Sequence, residues 1–378
     1  MSPRVIIGAM SGTSADGIDV AVTQVTGHAR RLSAKLLHLS SHPYHASLSN
    51  TIHTIRSEGA VALSRLAACG RAISLAYCEA ICGALEAANL TPDQVAAVAV
   101  HGQTLFHSPP NTIQWIDPAL VAVRTGCTVI SDFRRADCAA GGQGAPLVPF
   151  ADFHLFASDD VHRVIVNIGG IANVTILPRA GGIEAVRAYD TGPGNCISDA
   201  IVRRGDLNSV GIDVDGNLAA SGQVSDELVT RFLADPYFHK PGPKSTDGPR
   251  MIAIFDAVLA SLNEPVGTHD QLASACFITA ESIARTVTRD EPCEVLIAGG
   301  GVKNRTLMRM LRDTLGDDII PLRTTDDVGV PSQAREAMAF AVLGAATLDN
   351  VCANLPACTG AKHATILGSI TPRQSSTS

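Results

Sequence analysis

A chain of 378 residues with a formal net charge of −7 and no long basic run gives sequence-independent nucleic-acid binding no electrostatic support. Hydrophobic residues at 46%, charged residues at 17%, and 33 Gly with 20 Pro describe a globular α/β protein rich in turns, and the length favours two domains over one core. No stretch approaches the roughly 20 continuous apolar residues of a membrane span, and Val5 to Ile7 is too short for a secretory apolar core, so no membrane partner is expected. The ten cysteines form no C-x-x-C pair, which predicts free thiols in a reducing cytoplasm.

In chain order, the β-branched run Val5 to Ile7 and the alternating Ala21, Val22 and Val25 predict two strands around Gly8-Ala-Met-Ser-Gly-Thr-Ser-Ala-Asp-Gly-Ile-Asp19. A third strand is expected over Arg31 to Leu39, one long helix over Leu63 to Ala88, and a strand over Val95 to Val100 running into His101-Gly-Gln-Thr104. Asp117-Pro118 opens a helix, Cys127 to Ile130 is a strand, and Ser131-Asp-Phe-Arg-Arg-Ala-Asp137 puts charge at its end. The pattern then restarts: Arg163 to Asn167, a turn Asn167-Ile-Gly-Gly-Ile-Ala-Asn173, Val174 to Leu177, and a strand near Tyr189 ending in Asp190-Thr-Gly-Pro-Gly-Asn195. Helices follow around 225–233, 251–262 and 271–287. After them come a strand Glu294 to Ala298, the turn Gly299-Gly-Gly-Val-Lys-Asn304, a helix through Leu315, a strand near Ile319 and a helix from Pro331 to Leu348. This element order predicts one duplicated α/β unit with a ligand between the copies. The expected division is 1–160, 161–350 and a C-terminal segment 351–378.

Several stretches carry chemistry. Gly12 and Gly17 let backbone N–H groups converge on a ligand, Thr13 and Ser14 add hydroxyls, and Asp16 and Asp19 beside phosphate call for a divalent cation, so the hairpin suggests Mg²⁺-nucleotide. An ordinary solvated hairpin is the other reading. His101, Gln103 and Thr104 stand at a strand's carboxyl end, where α/β sheets collect ligands, or are satisfied turn groups. Arg134 and Arg135 can fork onto an anionic substrate group or pair with Asp132 or Asp137. Asp190 is placed as a base, with glycines such as Gly192 clearing space, or it caps the next helix. Gly299, Gly300 and Gly301 would let a base or ribose pack on bare backbone, or serve close helix-to-strand packing. Pro243-Lys-Ser-Thr246 fails as a phosphate-binding loop because Pro243 stands where the glycine before lysine should be.

Together these motifs resemble the anhydro-N-acetylmuramic acid kinase family. Met10-Ser-Gly-Thr-Ser-Ala-Asp-Gly-Ile-Asp19, His101-Gly-Gln-Thr104, Ser131-Asp-Phe-Arg-Arg135, Ala140-Gly-Gly-Gln-Gly-Ala-Pro-Leu-Val-Pro149, Asn167-Ile-Gly-Gly170, Asp190-Thr-Gly-Pro-Gly-Asn195, Gly299-Gly-Gly301, Asn354-Leu-Pro356 and Thr359-Gly-Ala361 occur in family order through nearly the whole chain. The resemblance implies two duplicated actin/hexokinase-like, ribonuclease H-like domains with an interdomain cleft. It implies a cytoplasmic enzyme of peptidoglycan recycling that uses ATP, Mg²⁺ and water to convert 1,6-anhydro-N-acetylmuramic acid to N-acetylmuramic acid 6-phosphate, and a homodimer by family analogy. Asp190 would activate the water. Gly12, Thr13, Ser14, Ala15, Asp16, Gly17, Ile18 and Asp19 would carry the ATP phosphates, with Asp16 reaching Mg²⁺ through water. Asn167, Gly169 and Gly170 would face them, and Gly299 to Gly301 would lie near adenosine. Arg134, His101 and Gln103 would hold the sugar and its lactyl carboxylate, with Glu336 supporting that site. After Thr246 the family continues Gly-Arg-Glu while this chain has Asp247-Gly-Pro-Arg250, so no role is carried over for that pair. The alternatives are a kinase of another amino sugar, or a nucleotide-dependent conformational or sugar-sensing protein of the actin or Hsp70 kind.

Overall fold

The computed structural model describes residues 2–28, 31–288, 291–316 and 321–373. It resolves into two compact units, Met1–Leu155 with Gln333–Ser378, and Phe156–Ser332.

The first unit is built on β1 (Arg4–Met10), β2 (Gly17–His28), β3 (Arg31–Pro43), β4 (Val95–Val100), a small hairpin β5 (Gln103–Ser108) and β6 (Asn111–Trp115), and β7 (Val129–Ser131). In the second unit lie β8 (His162–Ile168), β9 (Ile171–Leu177), β10 (Arg187–Pro193), β11 (Cys293–Ala298) and β12 (Leu322–Thr324), and the chain returns to the first sheet as β13 (Ser369–Thr371). The sheets run β13-β7-β4-β1-β2-β3 and β10-β9-β8-β11-β12. In each, three strands in sequence pair antiparallel, and the first of them also pairs parallel with a fourth, which pairs parallel with a fifth. The same order and sense appear twice, so the fold is a duplicated ribonuclease H-like α/β unit.

Local sequence explains the elements. The runs Ile6 to Ala9 and Val164 to Val166 are buried, as interior strands of a covered sheet require. Asp117 accepts from the Leu120 N–H at 3.0 Å, Pro118 occupies the first turn, and Gly126 closes that helix at φ 68°. Each unit has its own core. Ile7, Val20, Ile73, Tyr77 and Val98 centre one, and Val166, Phe232, Phe255, Ile278 and Val295 the other.

Expectations change at three places, and a fourth falls outside the described residues. The helix Arg335–Leu348, expected with the second half, belongs to the first unit. Its Ala337 carbonyl lies so close to Gly8 that a Cβ there would sit 1.8 Å away, and buried Arg335 pairs with buried Asp152 through Nε at 2.9 Å and Nη2 at 2.5 Å. The helix Leu63–Ala87 is by length and composition apolar enough to cross a membrane, contrary to the expectation. Its Ile73, Tyr77, Ile81 and Ala84 are fully buried against the first unit's core, which accounts for that apolarity. The strand expected near Ile319 lies outside the described residues. The helix Ala46–Ser57 and the β5–β6 hairpin were not anticipated, since neither shows a strong apolar period.

Candidate active site

In the first unit, Ser11 to Asp16 link β1 to β2. Buried Ser11 has its Oγ 2.7 Å from both the Gly17 carbonyl and Gln103 Oε1, to either of which it can donate. Gln103 Nε2 donates back to the Gly12 carbonyl at 3.0 Å. The loop is therefore braced from below by a buried amide. Ala15 takes φ 53° and donates to the Gly12 carbonyl at 3.2 Å. Thr13 and Ser14 are exposed, and their N–H groups have no hydrogen-bond partner among the described residues. That leaves a small concave set of donors for an anion. Ser14 Oγ donates to Oδ1 of exposed Asp16 at 2.8 Å, and Ser41 donates to Asp19.

Beside this loop, Arg134 donates from Nε to His101 Nε2 at 3.0 Å and from Nη1 to the Gly144 carbonyl at 2.8 Å. Among the described residues no carboxylate forms a salt bridge with it. Burial lowers the Arg134 pKa, opposed chiefly by the charge of nearby Glu336. Glu336 is half-buried, at the first turn of Arg335–Leu348. Burial and the Arg134 charge push His101 well below the ordinary histidine range. Gly144 donates in turn to Asp137 Oδ2 at 2.7 Å, while Asn354 Nδ2 and Thr359 Oγ1 each donate to Oδ1 at 2.7 Å. The C-terminal segment thus holds the arginine's support through a fully buried carboxylate.

In the second unit the register places three polar residues in one row. Asn167 on β8 is paired with Asn173 on β9, and Asn173 with Asp190 on β10. Directly paired residues project to the same face, with strands about 4.8 Å apart, so the three half-buried side chains line one side of the sheet. Asp190 Oδ2 accepts from the Thr246 N–H at 2.9 Å, and Oδ1 has no hydrogen bond among the described residues. Burial raises its pKa, and the Thr246 contact opposes this. The backbone of Asp190 is fixed as well, N–H to the Lys244 carbonyl at 3.0 Å and carbonyl to the Tyr237 hydroxyl at 2.7 Å. The result is a carboxylate with one oxygen clamped and one available, held on a rigid strand.

The family model described as anhydro-N-acetylmuramic acid kinase matches residues 4–373. A curated relative of that name from Caldanaerobacter subterraneus subsp. tengcongensis is 35% identical over 97% of this chain and 96% of its own length. One from Bacillus cereus is 35% identical over 97% of this chain and 98% of its own. The chain belongs to the anhydro-N-acetylmuramic acid kinase family. It is a sugar kinase. Among solved structures, component A of (R)-2-hydroxyglutaryl-CoA dehydratase from Acidaminococcus fermentans is 13% identical, with 91% of this chain and 99% of that chain covered at a TM-score of 0.45, a likeness too low to carry an argument.

For this member of the anhydro-N-acetylmuramic acid kinase family, the structure sorts the residues singled out by sequence. Ala15 and Ile18 are buried and shape the loop from the core side. Gln103, expected to touch sugar, is fully buried with its amide spent on Ser11 and Gly12. Arg135, the alternative anion ligand, is taken by Asp132 at 2.7 Å, whereas Arg134 pairs with neither Asp132 nor Asp137. Asp190 is no helix cap, because the next helix is Cys196–Arg204 with Asn195 before it. The space that Gly192 was expected to clear is filled by Phe238, 2.8 Å from where a Cβ would stand. Gly170 and Gly300 have nothing within 4 Å of a Cβ, but Gly299 and Gly301 pack on Ile168, at 2.6 Å and 2.3 Å. Sequence reasoning missed Asn173 and Thr246. Asn173 could have been found as the partner that hairpin register assigns to Asn167; Thr246 gave no signal beyond its place in a rejected motif.

Proposed function

We propose that this kinase uses ATP and water to open 1,6-anhydro-N-acetylmuramic acid and phosphorylate it to N-acetylmuramic acid 6-phosphate. The observation that carries the reading is Asp190, a half-buried carboxylate of raised pKa with Oδ1 free and Oδ2 held. The anhydro sugar has no free 6-hydroxyl, so the base must act on water. Water gives its proton to Asp190 Oδ1 while its oxygen bonds the anomeric carbon. The bond from that carbon to the bridging oxygen breaks, and the released 6-oxygen bonds the γ-phosphorus as ADP leaves. A raised carboxylate pKa suits a base better than a solvated one.

In this reading the Gly12 to Asp19 loop takes the ATP phosphates through its open N–H groups and hydroxyls, with Asn167, Gly169 and Gly170 as a second phosphate group of contacts. Gly300 lies against adenosine, and Gly299 and Gly301 shape that turn. Arg134, with Glu336, receives the sugar and its carboxylate, while His101 and Gln103 hold Arg134 and the phosphate loop. The first unit carries the phosphate loop and sugar residues, and the second the base.

The residues fit Mg²⁺ of the kind held mostly by phosphate and water. Among the described residues no group of three or more His, Cys, Asp or Glu could hold a metal ion, and Mg²⁺ on a nucleotide needs only one or two carboxylates. Exposed Asp16 offers such a carboxylate through water. Bound there, the ion would neutralise phosphate charge. A cytoplasmic homodimer working in peptidoglycan recycling completes the proposal.

The deciding experiment incubates the chain with ATP, Mg²⁺ and the anhydro sugar in ¹⁸O-water. The expected product is a sugar 6-phosphate labelled at the anomeric carbon. Product without label sinks the water-attack step, and no phosphorylated sugar at all sinks the substrate assignment.

A further inference from the structure

The stretch Pro243-Lys-Ser-Thr246, which fails as a phosphate-binding loop, has a different place in the fold. It runs along the β10 edge and encloses Asp190. Lys244 accepts the Asp190 N–H through its carbonyl, Thr246 gives its own N–H to Asp190 Oδ2, and the chain then enters the helix Gly248–Ala260 through the cap Asp247, which accepts from Arg250 N–H at 2.8 Å. The strap is anchored at its other side too. The Lys244 ammonium donates to the Tyr237 carbonyl at 3.0 Å and lies 4.7 Å from the Tyr237 ring centroid, and the Tyr237 hydroxyl donates to the Asp190 carbonyl. The Asp190 N–H is thereby fixed by the strap, and its carbonyl by the tyrosine on which the strap is anchored.

One atom in the strap is out of balance. The Thr246 hydroxyl is buried and has no hydrogen-bond partner among the described residues. A buried hydroxyl without a partner opposes folding, so a ligand or reactant that completed it would be held there favourably. It sits on the residue whose N–H touches Asp190 Oδ2. Nothing else in the strap needs a hydroxyl there, because the backbone contacts are independent of the side chain.

We infer that Thr246 is a positioning residue for Asp190: its N–H clamps Oδ2, leaving Oδ1 as the proton acceptor, and its unpartnered hydroxyl anchors the molecule that Oδ1 deprotonates. This rests on the reading of Asp190 as the base. An N–H on one carboxylate oxygen removes the carboxyl group's freedom to rotate, so only one lone-pair direction faces the reactant. The hydroxyl then supplies the second point needed to fix a small molecule such as water, which one hydrogen bond leaves free to turn.

Two measurements on the full chain test this. In ¹⁵N-labelled protein without substrates, the Thr246 amide proton should move downfield as pH rises through the Asp190 pKa, and this titration should vanish in Asp190→Asn. A Thr246 amide that does not respond overturns the clamp. With substrates, Thr246→Val keeps the N–H and the branched shape but removes the hydroxyl; kcat should fall about 10-fold to 100-fold with KM for ATP within twofold and no loss of thermal stability, and Thr246→Ser should restore most of kcat. Wild-type kcat in the valine variant, or a loss that serine does not rescue, overturns the anchor. If the wild-type chain turns over no anhydro sugar, the functional proposal fails separately, and the amide titration alone upholds or overturns Thr246.

Discussion

Arg134 donates its Nε–H to Nε2 of buried His101 at 3.0 Å, which requires an imidazole that is neutral with its proton on Nδ1. Both neighbours act in one direction: burial first, then the Arg134 charge, lower the His101 pKa well below 6.5. In exchange the arginine side chain is fixed by a histidine that stays uncharged through the physiological range, so its outer nitrogen remains a cationic donor without an internal carboxylate to satisfy it.

The pairing has a pH signature. The unfolded chain takes up a proton on this histidine near pH 6.5, while the folded chain does not until the pH is far lower. The folded pKa is depressed, so the contribution is complete above about pH 6.5 and is lost as pH falls toward the folded pKa, with a slope of at most about 1.4 kcal/mol per pH unit. Urea midpoints of wild type and His101→Asn, measured from pH 7.5 to 5, should converge as pH falls. Parallel profiles would refute the neutral, arginine-bound histidine.

Asp137 carries the second prediction. Its two oxygens receive Gly144 N–H, Asn354 Nδ2 and Thr359 Oγ1, each at 2.7 Å, inside a fully buried site. Replacing it by Ala leaves three donors without an acceptor, which costs about 3 to 5 kcal/mol. It also releases Gly144, whose carbonyl holds Arg134 Nη1. Asp137→Ala should therefore lower the unfolding midpoint strongly. The milder Asn354→Ala should raise KM for the sugar more than KM for ATP. An equal effect on both substrates would remove the link from the C-terminal segment to Arg134.

The glycine turn after β11 separates packing from binding. A Cβ on Gly301 would meet Ile168 Cγ2 at 2.3 Å, whereas one on Gly300 meets nothing within 4 Å. Gly301→Ala should destabilise by about 1 to 3 kcal/mol. Gly300→Leu should leave the thermal midpoint nearly unchanged and weaken ATP binding measured by calorimetry. Unchanged ATP affinity in Gly300→Leu would take adenosine away from this turn.

The fold was legible because its signals are local: β-branched runs, the cap Asp117-Pro118, and turn glycines mark nearly every strand and helix of both units. The duplication was legible from element order alone. What escaped depends on contacts distant in sequence. Arg335–Leu348 joins the first unit because small residues, Gly8 and Ala337, permit backbone contact, and an alanine-rich helix does not announce its partner. Of the candidate site, Asp190 and the hairpin loops were singled out from turn chemistry. The division of labour between Arg134 and Arg135 was not, since it depends on which guanidinium meets Asp132. The two sheets also differ at the position of Asp190. Asp19 pairs with Ser41 on β3 as Asn173 pairs with Asp190 on β10, so the matching position in the first unit holds a hydroxyl spent on Asp19.

Asp190 itself gives the last prediction, in which activity and stability move in opposite directions. Burial raises its pKa above the unfolded value, so the carboxyl group favours folding below about pH 3.9 and that contribution is lost as pH rises through the folded pKa. At neutral pH the wild-type protein therefore holds a partly desolvated charge with a single N–H to support it. Asp190→Asn keeps the shape, retains an oxygen for the Thr246 N–H, and removes the charge. Turnover should fall by about 10² to 10⁴, with ATP binding nearly intact because the phosphate-loop contacts are untouched. The variant should also melt higher than wild type at pH 7, and this advantage should shrink as pH falls through the raised folded pKa of the wild-type carboxyl group. A variant that melts lower at pH 7 would mean that Asp190 is held for the fold, and a variant that loses ATP affinity would move it from the base to the nucleotide site.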